Sequence, residues 1–207
     1  MGYVGAKPSA VPLTSADITD GIITSAKIAD GTIVNADINA SAAIVNSKLS
    51  GVGITQADMF RINADTSLST SATTLTSNIE RVDTNSFSVL GTGMTQSSGI
   101  FTFPSTGYYL INGFLNGYNG SSTSQYAVLY LQVTTDNSNY STASAGYSHV
   151  GQSSYYYGLF TSHILDVTNT TNIKVRFRAQ AQHASTIIFG DTNENSNGFQ
   201  FIRLGDT

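Results

Sequence analysis

Large aliphatic side chains recur about every five residues near the N-terminus: Ile18, Ile23, Ile28, Ile33, Ile38, Ile44, Leu49 and Ile54, with one slip near Ala42-Ala43. Alternate members sit in nearly identical phrases: Ala16-Asp17-Ile18, Ala26-Lys27-Ile28, Ala36-Asp37-Ile38, Ser47-Lys48-Leu49 and Ala57-Asp58-Met59. The unit is therefore about ten residues long. A spacing of five matches neither the 3.6-residue period of a helix nor the two-residue period of a strand. Gly21 and Gly31 argue further against a long helix.

Two architectures present one inward aliphatic per five residues. The units "ADITD", "GIITS", "AKIAD", "GTIVN" and "ADINA" resemble those of pentapeptide β-helices, whose square coils point one aliphatic inward per side. The other architecture is a shaft of three chains, each giving one aliphatic per layer around a threefold axis. Roughly 45 residues make only about two square coils, and stacked repeats need several units plus caps to bury a core. The shaft is the better reading. A disordered linker fits poorly, because such segments are depleted in the β-branched aliphatics seen here.

From about residue 60 the pattern changes to short alternating runs rich in Tyr and Phe, bounded by Gly, Asn, Ser and Thr. These runs predict strands at 77–82, 86–90, 100–103, 108–116, 126–134, 155–165, 172–181, 187–189 and 199–204. No helical pattern intervenes, so the expected fold is mainly β: a repeat shaft followed by an antiparallel sandwich. The expected divisions are an arm over 1–15, the shaft over 16–59, a linker over 60–76 and the sandwich over 77–207.

Two stretches carry a resemblance. "SGIFTFPSTGYYLINGFLNG", residues 98–117, and "NGFQFIRLGDT", residues 197–207, resemble the jelly roll of the complement 1q/tumour-necrosis-factor family. The resemblance covers roughly residues 75–207. It implies that the first stretch joins two core strands across a tight turn and that the second is the closing strand. Together with the ten-residue repeats, Asn78-Ile79-Glu80-Arg81-Val82-Asp83 and "GTGMTQSSGIFTFPSTG" resemble short fibre proteins of marine bacterial viruses. That resemblance implies a homotrimeric virion appendage with a jelly-roll head, made in the host cytoplasm.

Composition narrows the chemistry. Charged residues make up only 11% of the 207, against a usual share near 25%. The net charge of −4 offers no basic excess for phosphates, so no nucleic-acid partner is expected. The absence of cysteine excludes disulfides, thiolate zinc sites and a cysteine nucleophile. "MGYVGAKPSAVPLTS" has no apolar core of a signal peptide, and no apolar run is long enough to insert in a membrane.

His149, His163 and His183 lack metal-ligand spacing, and "DTNENSNG", residues 191–198, departs from a calcium loop at Ser196 and Ile202. No metal and no cofactor are expected. The carboxylates of the second half show no evident glycosidase pair, and no nucleophile elbow is present. Catalytic residues are therefore not expected.

Recognition residues are easier to nominate. "IKVRFRAQ", residues 173–180, places Lys174, Arg176 and Arg178 on one strand face. "YSHVGQSSYYYG", residues 147–158, concentrates Tyr147, Tyr155, Tyr156 and Tyr157, residues suited to glycan or protein contact, with core or interface packing of alternate tyrosines as the competing role. Gly2, Tyr3, Val4 and Lys7 in the N-terminal arm are candidates for attachment to other virion proteins.

The expected function is a virion structural protein, a tail fibre or capsid decoration whose head meets a host-surface glycan or protein, or a neighbouring virion protein. The alternatives are a secreted bacterial adhesin of the same fold and, less favoured, a polysaccharide-degrading appendage.

Overall fold

The computed structural model describes residues 14, 16, 18, 20–39, 41, 42, 44, 53–120 and 123–207. The chain divides into two compact units, 1–50 and 51–207.

In the first unit the ten-residue period of the sequence becomes a ten-residue period of the backbone. Short 3-10 turns occupy Ser25–Lys27 and Asn35–Asp37, and Gly21 and Gly31 adopt φ of +78° and +77°. That left-handed conformation suits glycine and strains residues with a Cβ. Turn hydrogen bonds run from Lys27 N–H to Thr24 O and from Asp37 N–H to Val34 O, each 2.9 Å. Asp37 also accepts from the Val34 N–H at 2.9 Å, whereas Lys27, ten residues earlier, donates from Nζ to Ile22 O at 2.7 Å. None of the described residues here whose side chain is placed is buried.

The second unit contains thirteen strands. In chain order they are β1 (Ala57–Ile62), β2 (Thr66–Ser67), β3 (Thr73–Thr74), β4 (Ile79–Arg81), β5 (Thr95–Ser97), β6 (Ile100–Thr102) and β7 (Gly107–Asn119). They continue with β8 (Ala127–Thr134), β9 (Tyr140–Ser148), β10 (Tyr156–Val167), β11 (Lys174–Ala181), β12 (Thr186–Ile188) and β13 (Gly198–Gly205). The front sheet has seven strands. Within it β10 flanks one edge of β7, β13 and β12 share the other edge, β1 and β4 continue beyond β13, and β2 lies beyond β12. The back sheet has six, in the order β5-β6-β11-β8-β9, with β3 also on β11. All the pairings are antiparallel.

Alternation explains the layers. Along β7 the odd positions point inward, so Tyr109, Ile111 and Leu115 are buried, and β11 sends Val175, Phe177 and Ala179 toward them. The centre of the sandwich is aromatic. Phe177 stacks on Phe199 at 4.1 Å between centroids, and Phe101 lies 4.9 Å from Phe201. The run at 98–117 does join two strands across a turn: β6 leads through Phe103-Pro104-Ser105-Thr106 into β7. The Tyr109 hydroxyl closes that turn by donating to Ser105 O at 3.0 Å.

Several expected boundaries need correction. Residues 57–59, read as the last repeat, begin β1, which pairs with the closing strand β13. Residues 60–76, read as a linker, complete β1 and supply β2 and β3. Two buried charges fasten this segment. Arg61 is 1% exposed and donates to Glu80 and Asp83, each at 2.6 Å, and to Thr84 at 2.8 Å. Asp58 is 3% exposed, pairs with Arg81 at 3.0 Å and accepts the Met94 N–H at 2.8 Å. Residues 86–90 form no strand; Leu90 makes only an isolated bridge to Ala57. Strand β9 was not anticipated.

The stacked aromatic centre gives a stability prediction. Phe177→Ala should lower the unfolding free energy by about 3–5 kcal/mol in a urea titration, as expected for a cavity in a packed core. The exposed Tyr156→Ala should shift it by less than about 0.5 kcal/mol.

Candidate interaction surfaces

The outward positions of the front sheet are apolar as well. Even residues of β7 face out, and the register sets Phe114 opposite Phe160 and places Leu110 between Ile164 on β10 and Ile202 on β13. Phe160 is 60% exposed and Ile164 58%, while Leu204 and Tyr108 also face solvent. Polar groups interrupt the face at Asn112, which accepts a hydrogen bond from Ser162 at 2.8 Å, at Gln200 on β13 and at the exposed Asp166 opposite Tyr108. Large apolar side chains gathered on an exposed sheet face favour contact with another molecule. Covering the remaining exposed surface of Phe160 or Ile164 stabilises by about 1–2 kcal/mol each.

At the end of β7 far from the start of β1, Tyr118 stacks on Phe189 at 5.3 Å and Tyr156 lies 5.7 Å from the same ring. Tyr156 is 77% exposed and Tyr155 58%. Tyr157 requires a correction. It is 5% exposed and donates from its hydroxyl to Ile187 O at 3.1 Å, so it belongs to the core rather than to a contact surface. Burial pushes its phenol well above the ordinary value.

Tyr147 lies on the other sheet. It projects from β9, 71% exposed, with its ring edge-on to Tyr130 at 6.4 Å. Tyr130 is the cross-strand neighbour of Arg178, and Arg176 neighbours Gln132. The nominated tyrosines thus separate: Tyr147 joins Lys174, Arg176 and Arg178 on the back sheet, while Tyr155 and Tyr156 are at the end of the front sheet.

The back-sheet cations have unusual surroundings. The Arg176 guanidinium lies 4.0 Å above the Tyr140 ring and donates to Gln132 Oε1 at 2.9 Å. The Arg178 guanidinium donates to Ala72 O. Partial burial and then the neighbouring Arg178 charge lower the Arg176 pKa. Arg61, Arg81 and Arg203 each meet a carboxylate, whereas among the described residues Lys174, Arg176 and Arg178 meet none. Sequence reasoning missed Tyr140, which reaches Arg176 because the turn after β8 brings β9 back alongside. Its aromatic start followed by a small-residue run was the available signal.

The carboxylates near these surfaces serve turns. Asp136 accepts from the Asn139 side chain and backbone, the Thr134 hydroxyl and the Ser138 N–H, which together hold its carboxyl far below the usual range. Asp191 is lowered by the N–H groups of Asn193 and Glu194. Among the described residues no group of three or more His, Asp or Glu side chains could hold a metal ion.

The nominated positions Ile18, Ile23, Ile28, Ile33, Ile38, Ile44 and Ile54 are each 36–55% exposed on the single chain. Leu49 and the arm residues Gly2, Tyr3, Val4 and Lys7 lie outside the described residues.

Comparison with solved structures matches this architecture. Murine APRIL at pH 8.5 superposes with a TM-score of 0.53 at 11% identity, covering 72% of this chain and 98% of that one. Eiger TNF from S. frugiperda gives 0.54 at 12% identity, covering 75% and 95%. The fold is a tumour-necrosis-factor-type jelly roll. At this identity the likeness is one of fold. No family model matches the sequence, and no curated protein does.

The jelly roll's Asp136 turn makes a pH prediction. A depressed carboxyl stabilises above its unfolded pKa and loses that contribution as pH falls through the folded value. Carbon NMR should therefore show Asp136 still ionised where ordinary carboxylates have protonated; titration near the ordinary Asp value would contradict its capping role.

Proposed function

We propose that this protein is a trimeric, non-enzymatic appendage of a bacterial virus particle. In this reading, three jelly-roll heads meet through their front sheets. The repeats of the three chains pool their isoleucines, and residues 1–15 attach to the particle. The observation that carries the reading is the front sheet, apolar on its outer face as well as its inner one, with Phe160 and Ile164 more than half exposed on a single chain. The described isoleucines of the ladder, also exposed on a single chain, support it from an independent part of the sequence.

The antiparallel jelly roll shared with murine APRIL and Eiger TNF is compatible with such a cluster. Three heads on one stalk would turn weak single contacts into useful avidity. The resemblance of the repeats and of "GTGMTQSSGIFTFPSTG" to short viral fibres supports the assignment to a virion.

Two experiments test this. Phe160→Asp with Ile164→Asp, and separately Ile28→Asp, Ile33→Asp and Ile38→Asp together, should each reduce the trimer in size-exclusion chromatography with light scattering. Each brings like charges together in every layer or contact. Wild-type elution of both variants would contradict the trimer. Mass spectrometry of purified particles of the virus encoding this chain should detect it at many copies, and its absence from washed particles would contradict the virion assignment.

A further inference from the structure

We propose that the outer face of the back sheet binds an anionic polysaccharide, seated in the groove beside Lys174 and running along Arg176 and Arg178. The inference deepens the function proposed above. It rests on that reading in one respect: when copies cover the front sheet, the back sheet is the head's outward surface.

Three observations carry it. The first is charge. In a chain with more acids than bases, three cations alternate on one strand with no carboxylate partner among the described residues. Alternate strand residues are about 7 Å apart, so the row spans roughly two such steps. The carboxylate at the nearby turn, Asp136, is already taken by Asn139, Ser138 and Thr134.

The second is shape. A groove of about 390 Å³ opens between β5, β6 and β11, lined by Thr95, Gln96, Ser97, Thr102 and Lys174 over Ile100. Its volume falls within the range of small-ligand sites. Hydroxyl and amide groups that both donate and accept, beside one cation, match a sugar ring bearing an acidic substituent.

The third is order. Arg176 is held over Tyr140 and by Gln132, and Arg178 is tied to Ala72 O. The guanidinium groups are therefore pre-positioned, which lowers the entropy lost on binding. Flexible surface cations would lack this feature. Tyr147 and Tyr130 extend the row with aromatic surface on which sugar rings can pack.

The test uses the full-length protein in biolayer interferometry against dextran sulfate, polygalacturonate, neutral dextran and poly-glutamate. Binding to dextran sulfate, polygalacturonate or both, and not to neutral dextran, is expected, weakening with salt as screened contacts do. The arm that binds identifies sulfate or carboxylate as the anion. Lys174→Ser with Arg176→Gln and Arg178→Gln should reduce affinity about tenfold or more, the sum of three modest charge contacts. Retention of the thermal transition and of the sedimentation coefficient would show the variant intact. Arg176→Lys with Arg178→Lys should keep part of the affinity.

A second variant keeps the groove itself at risk: Thr102→Val should weaken binding without changing charge. Unchanged affinity in the triple variant, equal binding of neutral dextran, or poly-glutamate binding as tight as the polysaccharides would overturn the proposal. A wild-type chain that binds polysaccharide through these residues but sediments as a monomer would support this site while contradicting the trimer.

Discussion

A strand sends successive side chains to opposite faces, and in β7 and β10 both faces carry large apolar side chains. Inward, Tyr109, Ile111, Leu115, Leu159 and Leu165 meet the back sheet; outward, Leu110, Phe114, Phe160 and Ile164 meet solvent in a single chain. One sandwich can satisfy only the first set. The back sheet obeys the ordinary rule, with Val175, Phe177 and Ala179 inside and Lys174, Arg176 and Arg178 outside. The two outer faces of the same head are thus chemically opposed, one carrying large apolar side chains and the other a row of cations.

The buried ion pairs follow from the same geometry. Strand β1 lies next to the closing strand and must hold its place although Asp58 and Arg61 sit within it. Arg61 is clasped by Glu80, Asp83 and Thr84, and Asp58 by Arg81 and the Met94 N–H. Buried pairs of this kind seldom add net stability, but they penalise any register that separates the partners. They pin the segment that leads into the head, just where the sequence passes from repeat to sandwich.

Much of the sandwich was legible because burial and alternation coincide. Tyr108–Asn116, Tyr126–Thr134, Tyr155–Leu165 and Asn172–Ala181 mark β7, β8, β10 and β11 to within three residues at either end. The alternation of the tyrosine run put Tyr156 opposite Tyr157, but which of them is buried was not readable. Tyr155, on the side of Tyr157 by that alternation, is exposed. Strand β1 was hidden because Ala57-Asp58-Met59 repeats the earlier phrase, and because buried Asp58 and Arg61 look like surface residues until their partners are known. Strand β9 was hidden by its Ser, Thr, Ala and Gly content, which an edge strand tolerates. The row of cations was visible in the sequence, but their lack of carboxylates and their support by Tyr140 depend on strands distant in the chain.

The proposed assembly rests on the outer face of the front sheet being covered in solution. Sedimentation velocity of the wild-type chain across a wide concentration range tests this most directly. A single species at three times the 21.9 kDa chain mass, persisting on dilution, is expected. A stably folded species at the mass of one chain throughout that range would contradict it.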